Sequence, residues 1–293
     1  MITADTTPTA VDHGSPLTGV RMLVASDIDG TLLVTGRPPS SAVIESVAAV
    51  RDAGHHPVLS TGRSLSGALA AARELGLANG WVIASNGAVT ARLIGGAYVL
   101  SQVRTVDAET VVRLATKSLP GARIAVEIVG VGYHVNKQFP ARELNGDQVK
   151  VSRLSDLWAG STPRVVLSGP DAQRLVPALR AAGMTAIATR PDWVDVTVGG
   201  VSKATAVERL RQDLGIPIEC TVAIGDGEND IELLQWAWRG VAMGHAAAQV
   251  QDAADEVADS IEQEGAVRVL QSLLTTGSAP DPRQKVDVEV FQP

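Results

Sequence analysis

Short apolar runs alternate with amphipathic stretches along most of the chain. VRMLVAS (20–26) is the kind of run that a strand buried on both faces shows. PSSAVIESVAAVRDAG (39–54) follows with serines at its start, apolar residues at helical spacing and Gly54 as a C-terminal stop. HPVLSTG (56–62), SLSGALAAARELG (64–76) and WVIASNG (81–87) continue as strand, helix and strand. Strands alternating with helices of this length predict a parallel sheet covered on both faces.

The rhythm changes near residue 88. ARLIGGAYVLSQV (91–103) predicts an antiparallel hairpin around Gly95-Gly96. A helix over 107–118 and a strand-rich stretch, RIAVEIVGVGYHV (123–135), come next. RVVLSG, DAQRLVPALRAAG, MTAIATR and WVDVTVGG then read as strand, helix, strand, strand. From SKATAVERLRQDLG (202–215) the buried pattern returns as helix, strand TVAIGD, helix NDIELLQWAW, strand GVAM and two further helices. The fold class expected is therefore α/β, with an α+β unit (88–198) inserted into a parallel-sheet core (20–87 and 199–275). Polar tails occupy 1–19 and 276–293.

Composition narrows the function classes. The formal charge of −7 leaves no basic surplus for phosphate neutralisation, which argues against nucleic-acid binding. Basic residues are not interleaved with aromatics, which are only 3% of the chain, as a base-stacking platform would need. A single cysteine, Cys220, excludes an internal disulfide and reads as a small core residue. The opening MITADTTPTAVDHGSP has neither a basic start nor an apolar stretch, and no run approaches membrane-spanning length. A cytoplasmic protein without a membrane partner is expected; oligomeric state is not legible. The insert carries a net +4, which leaves −11 for the rest of the −7 chain. A basic unit above an acidic core could draw anionic substrates to their interface, although a chance difference in surface charge explains the numbers as well.

In a parallel α/β sheet, ligands bind beyond the carboxyl ends of the strands. Asp27 and Asp29 follow the first apolar run; Thr61, Gly62 and Arg63 follow the second. Asn86 follows the third, and Asp226, Asn229 and Asp230 follow TVAIG, with Lys203 opening the preceding helix. Each group alone has an ordinary reading as a turn or a cap. Together they suit one chemistry. Hard carboxylate oxygens favour Mg²⁺, no Cys or His cluster offers a zinc site, and a dication lets four acids crowd together. An ionised carboxylate beside such a charge can attack phosphorus, and a second one two residues on can act as general acid and then base. Thr61 and Lys203 would hold charge on the transferring phosphoryl oxygens.

Read in order, DIDGT (27–31), Thr61 in LSTGR, Lys203 in GVSKA and GDGEND (225–230) resemble the four motifs of the haloacid dehalogenase superfamily of phosphohydrolases. The insert between the second and third motifs, preceded by NGA, is similar to the type-IIB cap of the Cof-type subfamily. The resemblance runs over most of residues 21–270, including GVAMG and the later EGAV.

It implies a Rossmann-like core and a phosphatase with Asp27 as nucleophile and Asp29 as acid/base. Mg²⁺ would sit on Asp27, Asp226 and the main-chain carbonyl of Asp29, with Asp230 supporting. Thr61, Gly62, Arg63, Asn86, Asn229 and Lys203 would contact the phosphoryl group or its surroundings. The substrate implied is a small phosphorylated metabolite such as a sugar phosphate or flavin mononucleotide. Three positions depart from the subfamily pattern: Ala204 for Gly, Leu233 for Met and His245 for Asn. His245 is expected to cap its loop, and His55-His56 to lie outside catalysis.

Phosphotransfer or mutase action through the same intermediate stays open on the sequence. A non-catalytic phosphate-binding module is disfavoured because no motif residue is missing. A metal-binding pair for a nucleotide sugar would leave Thr61, Lys203 and GDGEND without a purpose. Candidate substrate selectors in the insert are Arg123, Glu127, Tyr133, His134, Asn136 and Lys137.

Overall fold

A computed structural model describes residues 21–34 and 36–275. The tails expected at 1–19 and 276–293 lie outside the described residues. The described residues begin with β1 (Leu23–Ser26), α1 (Ser41–Asp52), β2 (His56–Ser60), α2 (Leu65–Glu74) and β3 (Gly80–Ala84). A hairpin, β4 (Val89–Ile94) and β5 (Ala97–Val103), leads to α3 (Ala108–Ser118). Strands β6 (Arg123–Ile128), β7 (Gly132–Val135), β8 (Asp147–Lys150) and β9 (Val165–Ser168) precede α4 (Val176–Ala181), β10 (Met184–Arg190) and β11 (Trp193–Val198). The remainder is α5 (Lys203–Asp213), β12 (Thr221–Gly225), α6 (Ile231–Trp236), β13 (Arg239–Ala242), α7 (Ala248–Gln251), β14 (Glu256–Val257) and α8 (Gly265–Thr275).

Eight strands form the large sheet in the order β14-β13-β12-β1-β2-β3-β4-β5. It is parallel from β14 to β3 and antiparallel through β4 and β5. Apolar side chains of β1 and β12 go alternately to the two faces, the period-2 consequence of strand geometry. Met22, Val24, Val222 and Ile224 join the cluster under α1, α2 and α8. Leu23, Ala25 and Ala223 join the one under α5 and α6. Burial on both faces is why these strands read as continuous apolar runs. Serines start the helices as expected: Ser40 Oγ accepts from Val43 N at 3.2 Å and Ser64 Oγ from Gly67 N at 3.4 Å.

The second sheet has the order β10-β11-β9-β6-β7-β8. All its pairs are antiparallel except β7 with β8. One face packs on α3 and α4 through residues such as Val111, Leu167 and Leu179. The other carries Tyr133, Phe139 and Trp193.

Two features differ from the sequence reading. The hairpin 91–103, placed in the insert by the change of rhythm, extends the large sheet by pairing with β3; a change from parallel to antiparallel pairing is not a change of sheet. The two helices expected last are separated by the short strand β14. Among the described residues, no helix is long and apolar enough to cross a membrane.

Candidate active site

The register of the large sheet brings the polar residues after its strands to one edge. Ser26 pairs with Ile224 on one side and Leu59 on the other, and Ser60 pairs with Ile83. Asp27, Thr61, Ser85-Asn86 and Asp226 therefore emerge side by side. Asn86 adopts φ 52°, a left-handed conformation that Asn tolerates better than most residues. Gly30 has φ +80°, and a Cβ there would overlap the Asp226 carboxylate. This is the physical reason for glycine in DIDGT.

Lys203 anchors the centre. A lysine in the first turn of a helix opposes the macrodipole, yet Lys203 opens α5 and is 1% exposed. Its Nζ donates to Asp27 Oδ1 at 2.7 Å and to Asp230 Oδ1 at 2.6 Å. Burial works against its charge, and the two carboxylates outweigh it, so the ammonium form is favoured. Asp27 shows the converse. Burial pushes its carboxyl up to about 8, Lys203 opposes the rise, and Asp230 and Asp226 add to it. Asp226 is raised chiefly by burial as well.

Asp27, Asp226 and Asp230 each offer an oxygen within 4.8 Å of the others. This all-carboxylate set suits a hard dication, whose charge would offset the crowding that adds to the effect of burial on Asp27. Asp230 is the least available of the three. Its Oδ2 accepts from Asp226 N at 3.2 Å and Gly227 N at 3.0 Å while Oδ1 holds Lys203.

A cavity of about 620 Å³ opens above these groups, between the two sheets, and Asp27, Asp29, Thr61, Gly62, Arg63, Asp226 and Asn229 line it. Thr61 Oγ1 accepts from Arg63 N at 3.1 Å, and Asn229 Nδ2 donates to Asn86 Oδ1 at 2.9 Å. Asn86 is 1% exposed, and its Nδ2 makes no hydrogen bond of good geometry among the described residues. It lies near enough to Asp195 to favour that carboxylate's ionised form, although burial still raises Asp195 overall. A buried donor of this kind is costly unless something accepts from it.

Arg63 lines the cavity and also makes a contact that the sequence does not indicate. Its Nε and Nη2 donate to Asp29 Oδ2 and Oδ1 at 2.7 and 2.6 Å. Asp29 is thus gripped by a bidentate guanidinium. His245 serves its loop, its Nδ1 accepting from Ile261 N at 3.3 Å, with Nε2 3.8 Å from Asp226 Oδ2.

None of the six insert residues singled out in the sequence lines the cavity. Arg123, Asn136 and Lys137 bond nearby backbone, and Glu127 and Tyr133 are buried in an ion-pair cluster. The insert side of the cavity consists of Arg142, Glu143, Asn145, Thr189, Arg190, Trp193 and Asp195. Their positions in the chain carry no motif. Only the pairing of β10 with β11 and the fold of the 139–146 loop bring them together.

Known proteins resemble this chain over most of its length. A phosphatase of the haloalkanoate dehalogenase superfamily from Bacteroides thetaiotaomicron superposes with a TM-score of 0.74 at 26% identity, over 91% of this chain and 98% of that one. A 5-amino-6-(5-phospho-D-ribitylamino)uracil phosphatase of Bacillus subtilis is 24% identical over 85% of this chain and 96% of its own length. A phosphoglycolate phosphatase of Natronomonas pharaonis is 31% identical over 84% of this chain and 95% of its own. Residues 24–270 match the haloacid dehalogenase-like hydrolase family as a whole, and the chain belongs to that family.

Proposed function

We propose that this chain is a Mg²⁺-dependent phosphatase hydrolysing a small phosphorylated metabolite, such as a sugar phosphate or flavin mononucleotide, through an aspartyl-phosphate on Asp27. The observation that carries the reading is the buried contact of Lys203 with Asp27 and Asp230 beneath a cavity that Asp226, Thr61 and Asn229 also line. Asp27 attacks phosphorus and the ester bond to the leaving alcohol breaks. Asp29, once freed from its two-point contact with Arg63, supplies the proton for that alcohol and later takes one from the water that cleaves the acyl-phosphate. Lys203, Thr61, Gly62 and the amides of Asn86 and Asn229 hold the phosphoryl oxygens and their surroundings.

Asp27, Asp226 and the main-chain carbonyl of Asp29 would hold Mg²⁺, with Asp230 supporting. When bound, the ion supplies the positive charge that keeps Asp27 ionised and offsets the phosphoryl oxygens. The cavity of about 620 Å³ suits one small metabolite. The names of the relatives, a ribitylaminouracil-phosphate phosphatase and a phosphoglycolate phosphatase, support a small phosphate ester as the class. Arg142, Arg190 and Trp193 on the insert wall would meet its leaving group.

Replacing Asp27→Asn is expected to abolish phosphate release while Mg²⁺ and substrate still bind. Retained turnover would remove Asp27 as the nucleophile. A Mg²⁺-dependent screen of phosphorylated metabolites, ranked by kcat/KM, identifies the substrate. Transfer of phosphate to an organic acceptor in place of its release would show a phosphotransferase instead.

A further inference from the structure

Three consecutive carbonyls in the turn after β2 each find a donor. Thr61 O accepts from Asn86 N at 3.0 Å and Arg63 O from Ser85 N at 2.7 Å, both within the large-sheet unit. The Gly62 carbonyl between them accepts from Arg164 Nη1, and Arg164 belongs to the insert, one residue before β9. Among the described residues no other donor reaches that carbonyl.

Arg164 is 4% exposed, and each of its three guanidinium nitrogens has a partner. Its Nε donates to Glu127 Oε2 at 3.1 Å, its Nη2 to the Tyr133 hydroxyl, and its Nη1 lies 3.5 Å from Asp195 Oδ1. Glu127 extends the grip, accepting from Leu65 N at 3.2 Å on Oε1 and from Ser85 Oγ at 2.7 Å on Oε2. One buried ion pair of the insert therefore holds the 61–63 turn, the start of α2 and the Ser85 turn at once. Cohesion alone does not call for this, because well-packed apolar side chains commonly stabilise a buried contact as well as an ion pair does. What the guanidinium adds is direction: a planar fork with fixed donor angles.

We propose that Arg164 is a positioning residue for the 61–63 turn. By holding the Gly62 carbonyl it fixes the backbone that carries Thr61 and Arg63, and with it the two-point contact of Arg63 on Asp29. The turn reaches its working geometry only with the insert docked. The consequence for catalysis rests on the phosphatase reading above; the effect on the turn does not.

The test compares Arg164→Met with Tyr133→Phe, which takes a different hydrogen bond from the same guanidinium, and the hydroxyl's contact with Ser64, while leaving the bond to the Gly62 carbonyl in place. Two readouts are used: Mg²⁺-dependent hydrolysis of p-nitrophenyl phosphate, and amide hydrogen exchange of a peptide covering residues 61–66. For Arg164→Met, kcat is expected to fall about 30- to 100-fold with KM changed by less than about threefold. Exchange over 61–66 is expected to quicken at least about tenfold while β1 and β12 stay protected. Tyr133→Phe should move both readouts by less than about threefold. If Arg164→Met fails to fold, Arg164→Lys replaces it, because a single ammonium cannot serve Gly62, Glu127 and Tyr133 together. Unchanged exchange at 61–66, or an equal effect from Tyr133→Phe, overturns the proposal. Absence of turnover in the unmutated protein counts against the phosphatase reading alone, and the exchange result then decides the role of Arg164.

Discussion

Replacing Lys203→Met removes the cation that bridges Asp27 and Asp230 while keeping a long side chain in its place. Lys203 is 1% exposed and Asp230 0%. Solvent therefore cannot take over the 2.7 and 2.6 Å contacts. Breaking a buried pair from one side typically costs about 3–5 kcal/mol, because a charge is left without compensation. At about 1.6 °C per kcal/mol for a chain of this size, the melting temperature in metal-free buffer should drop by about 5–8 °C. The carboxylates freed of Lys203 then depend more on a dication. At about a hundredfold its dissociation constant, Mg²⁺ returns about 2.7 kcal/mol, so the variant should recover part of the loss on titration. Its Mg²⁺-induced rise in melting temperature should exceed that of the unmutated protein. On the proposed mechanism, in which Lys203 also holds charge on the transferring phosphoryl group, hydrolysis should fall about 10²- to 10³-fold even when Mg²⁺ saturates. Differential scanning fluorimetry across a Mg²⁺ series, paired with phosphate release, reads all three effects. Unchanged melting in metal-free buffer together with an identical Mg²⁺ response would refute the reasoning.

In metal-free buffer the Asp27 carboxyl, pushed up to about 8 by burial and its acidic neighbours, keeps in the folded state a proton that the unfolded chain releases near pH 4. Its contribution to stability is then greatest below about pH 4 and declines as pH rises toward 8. Urea unfolding should show Asp27→Asn losing less stability than the unmutated protein over that window, and parallel pH curves would contradict this. Gly30→Ala forces a Cβ onto the Asp226 carboxylate at φ +80°. It should cost about 1–2 kcal/mol from the backbone alone and weaken Mg²⁺ binding in isothermal titration; a variant with both stability and Mg²⁺ affinity intact would speak against the close approach.

Much of the site is legible in the amino-acid sequence because its chemistry sits at the ends of recognisable strands. Asp27, Thr61, Asn86 and Asp226 each follow an apolar run, and parallel pairing leaves little choice about where such residues gather. Lys203 and Asp230 can be placed for the same reason, one at a helix start and one in the loop after β12. The bidentate hold of Arg63 on Asp29 is not legible, because a guanidinium three residues past a strand has several carboxylates within reach.

Hydrophobic periodicity and residue type determined the α/β core, the presence of an inserted unit and the identity of the acids at its edge, since these are local properties of backbone geometry and burial. Which sheet the 91–103 hairpin joins depends on edge pairing with β3 and has no local signature. The cavity wall was likewise decided only in three dimensions. Arg142, Thr189 and Trp193 converge through strand register and loop closure, whereas Glu127 and Tyr133, polar residues in a strand-rich stretch, turn inward to Arg164. A strand pattern specifies which residues share a face. The partner that covers that face is set by packing between sheets, and there the insert's arginine reaches the backbone of the 61–63 turn.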